Sequence, residues 1–198
     1  MTNHPLISEA VSSKFDVYEW RNAVHILHSV HPDDYSEILQ ALELFILKKS
    51  DITKSGGNKS NIASALDQYL LSKGWTERLF ETKIVVDGKY FETPTHKVDC
   101  FKGKIALEVE WNNKDPFFDR DLNNFWLLYD LHVIDVGVII TRSTRLETIL
   151  NSTERNKTTY GKATTHTDKL IPKIKGGGAG GCPVVVFSIT PGAYRDDL

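Results

Sequence analysis

Long apolar runs are missing from this 198-residue chain. No stretch reaches the roughly 20 consecutive apolar residues that a membrane-spanning helix needs, so a membrane partner is not expected. The opening residues, Met1-Thr2-Asn3-His4-Pro5, have neither the basic start nor the apolar core of a signal peptide. Cysteine is scarce too. Cys100 and Cys182 cannot build a disulfide framework, and both observations predict a reducing, cytoplasmic setting. A net charge of −2 does not by itself indicate a polyanionic partner. No Gly-x-Ser-x-Gly elbow occurs, which leaves a serine hydrolase unsupported. The glycine-rich residues 176–181 lack the Gly-Lys-Ser/Thr of a phosphate loop and read as a turn into a strand. What remains is an ordinary globular composition, 40% hydrophobic and 25% charged, long enough for one domain with a substantial core.

Three acids carry most of the chemical information: Asp99, Glu108 and Glu110. From residue 105 to 110, Ile105, Leu107 and Val109 alternate with Ala106, Glu108 and Glu110, the period of a strand. A hairpin turning at Gly103-Lys104 pairs Phe101 with Ala106 and Asp99 with Glu108. Opposed side chains in such a pair lie roughly 5 Å apart at Cβ. Two acids so placed repel each other, and a divalent cation between them removes the repulsion. A solvated acidic strand face is the plain alternative. The chain then runs Trp111-Asn112-Asn113-Lys114 into a helix start, so the strand is expected to enter the interior, where unpaired charge is costly.

Around that hairpin the patterning predicts helices at 14–30 and 33–49, a third at about 59–73 ending at Gly74, and strands near 76–86, 89–92 and 97–101. Asp115 reads as an N-cap with Pro116 at the first helical position, Asp119 and Asp121 favour the positive end of the dipole, and Phe118, Leu122, Phe125 and Tyr129 form an apolar stripe. Residues 133–141 are nearly all apolar, as in a strand buried on both faces. Hairpin, helix and buried strand together predict a β-α-β crossover with a parallel pair. A last strand is expected at 183–189. His25, His28 and His31 recur every third residue, but no neighbouring acid or cysteine completes a zinc set. Residues 155–175 carry six cations (Arg155, Lys157, Lys162, Lys169, Lys173 and Lys175) against one anion, Asp168. That segment suits either phosphate contacts or a solvated loop.

Asp99, eight residues, Glu108, one residue and Glu110, on a hairpin feeding a helix and a buried strand, resembles the PD-(D/E)xK nuclease core. More narrowly it is similar to the BglII and BstYI family of type II restriction endonucleases, whose members read D-x8-E-x-Q here, with Glu last in relatives such as BamHI. Gly74-Trp75-Thr76-Glu77, Asp135-Val136-Gly137-Val138 and the glycine-rich stretch before the last strand extend the likeness over roughly residues 59–190. Two departures stand out: Val98 replaces the Pro of the name and Glu110 the Lys. The resemblance implies an α/β fold with a mixed central sheet flanked by helices. It implies a single nuclease domain over 1–198, with an N-terminal helical part at 1–58, a catalytic core at 59–150, and a basic loop with the C-terminal strand at 151–198. It further implies that Asp99, Glu108 and the carbonyl of Val109 bind Mg²⁺, that Glu110 is general base or second ligand, and that Glu77 is a further acid of the site or else an exposed strand-start residue. Lys157, Lys162, Lys169 and Lys173 would contact DNA from a loop. The expected activity is Mg²⁺-dependent hydrolysis of double-stranded DNA at a short palindrome by a homodimer. A non-cleaving DNA-binding or interaction module on the same scaffold is the alternative.

Overall fold

The computed structural model describes residues 4–53, 60–93, 95–152, 160–161 and 163–197. Short helix α1 (Glu9–Ser12) leads into strand β1 (Phe15–Trp20), helices α2 (Ala23–Val30) and α3 (Pro32–Leu44), strand β2 (Leu47–Lys48), and helices α4 (Lys49–Thr53) and α5 (Asn61–Ser72). Strands β3 (Thr76–Arg78), β4 (Thr82–Val86), β5 (Lys89–Thr93), β6 (Val98–Lys102) and β7 (Ile105–Glu110) follow. Helix α6 (Pro116–Asp130), strand β8 (Val136–Arg142), helices α7 (Glu147–Leu150) and α8 (Thr167–Lys175), and strands β9 (Val184–Ile189) and β10 (Tyr194–Arg195) come next among the described residues.

Six strands form the central sheet in the order β1-β9-β8-β7-β6-β3. Its middle pairs, β7 with β8 and β8 with β9, are parallel, and the outer pairs are antiparallel. The crossover from β7 to β8 runs through α6, as the patterning predicts. Every residue of β7, β8 and β9 is buried, because helices cover both faces. Ile105, Leu107, Val109, Val138, Ile140 and Phe187 pack on one face with Leu27 of α2, Ile38 and Leu42 of α3, and Leu66 and Leu70 of α5. On the other face Ala106, Ile139 and Val186 meet Phe118, Leu122 and Phe125 of α6 and Leu170 of α8. Glu108 and Glu110 share the parity of Ala106 and so project towards α6.

Three expectations need correction. The helix expected over 14–30 begins only at Ala23, because β1 pairs antiparallel with β9 from Phe15↔Ile189 to Trp20↔Val184. The N-terminal part is therefore not wholly helical, and it supplies one edge of the main sheet. Between the two elements Arg21 and Asn22 take positive φ, 57° and 58°, without a glycine or proline to mark the break. Asp115 does stand at the N-cap with Pro116 after it, but its side chain makes no cap hydrogen bond. In the basic stretch, Thr167–Lys175 is helix rather than loop.

Candidate active site

The β6–β7 hairpin has the register its sequence predicts, Cys100↔Leu107, Phe101↔Ala106 and Lys102↔Ile105. Gly103 opens the two-residue turn at φ +56°, a conformation that glycine adopts without steric cost. One step further the main-chain ladder gives way to side chains. The amide of Asp99 donates to Glu108 Oε2 at 3.2 Å, and the amide of Val109 donates to Asp99 Oδ2 at 3.1 Å. Each carboxylate is thereby fixed by the backbone of the opposite strand.

Helix α6 closes the site from above. Glu108, Glu110 and Asp121 have relative exposures of 1%, 2% and 0%, so three carboxylates share a buried pocket. His96, in the coil before β6, places Nε2 3.3 Å from Glu108 Oε1 and 3.1 Å from Asp121 Oδ1. Asn113 donates to Glu110 Oε2 at 2.7 Å, and half-exposed Arg120 reaches Asp121 Oδ1 at 3.1 Å and Glu110 Oε1 at 3.6 Å. One imidazole and one peripheral guanidinium do not balance this many acids. Burial first, and then the charges of Asp121 and Asp99, hold the Glu108 carboxyl well above the usual carboxylate range. Burial and Asp121 push Glu110 up to about 9. Asp121 Oδ2 is buried with no hydrogen-bond partner among the described residues.

The arrangement brings together Asp99, Glu108 and Glu110 of the expected set, with Val109 between the last two. Glu77 stands apart on β3: it is exposed, and Lys97 Nζ lies 3.1 Å from its carboxylate. Lys169 lies 3.5 Å from Asp115, and Lys173 donates to Asp119 at 2.6 Å, so these two of the three lysines of α8 face acids at the start of α6. Lys157 and Lys162 fall outside the described residues. His96, Arg120 and Asn113 escape the sequence reading, and Asp121, expected there as an acid of the helix dipole, is instead buried beyond the first turn of α6. Asp121 does leave a trace: it falls at i+3 from Phe118 and beside Leu122, inside the apolar arc of α6, where a surface acid has no place.

The histidine reading also changes. Glu19, reached through β1, stands with His4 and His25, so an acid does join that group. His4 Nδ1 accepts the Leu6 amide at 3.2 Å, which leaves the ring proton on Nε2, where it donates to Glu19 Oε1. His4 is thus an ordinary hydrogen-bond donor here. His31 lies apart, with Nε2 3.0 Å from Asp135.

A protein-family model described as restriction endonuclease BglII/BglIII matches residues 15–189 of the chain. No curated protein matches it.

Proposed function

The chain belongs to the BglII/BglIII restriction endonuclease family, and from that premise we propose that it is a type II site-specific deoxyribonuclease which cuts both strands of a short palindrome in double-stranded DNA, with Mg²⁺ as cofactor. One observation carries the reading: Asp99, Glu108, Glu110 and Asp121 converge under α6, three of them buried, with one carboxylate oxygen left open. Burying unpaired charge is very costly, and a divalent cation fits this donor set.

Asp99, Glu108 and the backbone carbonyl of Val109 would hold Mg²⁺, an all-oxygen set of the kind that ion takes. Bound there, it supplies electrostatic stabilisation of the charge that builds on the phosphoryl oxygens and the leaving 3′ oxygen. The protein's own groups do the rest. Glu110, with Oε2 held by Asn113, would take the proton of the attacking water or serve as a second ligand once the proton it holds in the metal-free protein is displaced by a bound cation. Glu77, exposed on β3 and paired with Lys97 away from the carboxylate cluster, is given no part in the step. Lys157, Lys162, Lys169 and Lys173 would contact the DNA backbone as flexible point charges. A palindrome presents two equivalent bonds related by a two-fold axis, so a homodimer brings one site to each strand. The whole of 1–198 would act as one nuclease domain in the cytoplasm.

Asp99→Asn and Glu108→Gln should each abolish Mg²⁺-dependent cleavage while leaving a folded protein that still binds DNA. Cleavage that survives either change within about tenfold, 1.4 kcal/mol of barrier, overturns the assignment.

A further inference from the structure

We propose that His96, Glu108 and Asp121 form a second cation position beside that of Asp99 and Glu108, one that selects a later transition metal such as Co²⁺ or Zn²⁺ over Mg²⁺. The inference rests on the preceding reading only in sharing Glu108. One ligand atom from each of the three residues lies within 4.8 Å of the other two. They arrive from three separate parts of the chain: the coil before β6, β7 and α6. Asp121 is fully buried; its Oδ1 faces Arg120 and His96, while its Oδ2 has no hydrogen-bond partner among the described residues and is open to a cation.

Glu108 divides its two oxygens. Oε2 receives the Asp99 amide, while Oε1 faces His96. A carboxylate set this way can serve one cation on each side. Asn124, one turn beyond Asp121 on α6, donates to the His96 carbonyl at 3.3 Å and ties the His96 coil to the helix. The pocket is therefore held from both ends. Oxygen donors alone suit Mg²⁺, whereas an imidazole nitrogen among them shifts preference towards the later divalent metals.

The test is a Co²⁺ titration of the full-length metal-free protein, followed by calorimetry and by the visible absorption that a nitrogen ligand intensifies. In the parent, a Co²⁺ equivalent with that absorption should bind in addition to Mg²⁺. His96→Ala and Asp121→Asn should weaken it by more than the roughly tenfold that losing even an outer partner of a metal ligand costs, with Mg²⁺ binding retained and thermal melting still cooperative. Asp99→Asn should do the reverse, losing Mg²⁺ and keeping the Co²⁺ signal. If His96→Ala binds Co²⁺ as the parent does, or if Asp99→Asn removes both ions together, the second position does not exist. Loss of Mg²⁺ binding alone in the parent would instead count against the Asp99 assignment.

Discussion

At Glu110, burial and the charge of Asp121 hold the carboxyl proton up to about pH 9, whereas an ordinary glutamate releases it near 4.5. Between those values the native state binds more protons than the unfolded chain. This contribution to stability is therefore complete below pH 4.5 and lost as pH rises towards about 9. Its steepest slope is about 1.4 kcal/mol per pH unit for each proton. Glu108 is shifted in the same direction. In the presence of a chelator, Tm should fall as pH is raised from about 6 to about 9, and Glu110→Gln should flatten the fall. A Tm that rises over that range would contradict the burial described here. Asp99, Glu108 and Glu110 are legible in the sequence because strand alternation and a two-residue turn determine which side chains oppose. His96 and Asp121 are not, since they reach the pocket from a coil and a helix. Only a polar residue on the apolar arc of α6 gives Asp121 away.

Helix α6 is the element on which the site depends, because it carries both Asp121 and Asn124 over β7. Its approach to the sheet is set by Gly137 of β8, where a Cβ would overlap the Phe125 ring. Gly137→Ala should cost about 1–3 kcal/mol through overpacking and should lower metal affinity by lifting Asp121 away. Urea unfolding with and without Co²⁺ measures both effects; an unchanged midpoint would show that α6 is not held there. The stripe of α6 and the apolar run of β8 are readable from periodicity alone. The boundary between β1 and α2 is not, because the left-handed break at Arg21 and Asn22 comes without a glycine or proline. The strand character of β1 comes from pairing with β9, whose sequence lies more than 160 residues away. Helix α8 is hidden by its high content of lysine and by the polar residues around it.

For the whole molecule, the sheet order places β7 of the acidic hairpin in the middle of the sheet, and the packing puts α8 next to α6. Each lysine–phosphate interaction removed should lower the log–log salt slope of DNA binding by roughly one. Neutralising Lys157, Lys162, Lys169 and Lys173 together should therefore weaken binding to all sequences and flatten its salt dependence. Parent-like binding at every salt concentration would move the DNA surface elsewhere, since Lys169 and Lys173 already face Asp115 and Asp119. The fold class follows from the hairpin, helix and buried strand in order, and the family match agrees with it. Recognition is less legible, because base readout depends on loop shape against DNA rather than on periodicity. The most direct test of the central claim is to digest a plasmid of known sequence with the purified protein and Mg²⁺, and to sequence the ends of the products. The account predicts discrete fragments whose ends fall at one short palindrome, with no cleavage by Glu108→Gln or in the presence of a chelator; an uncut plasmid, ends at random positions, or cutting that persists without a divalent cation would contradict it.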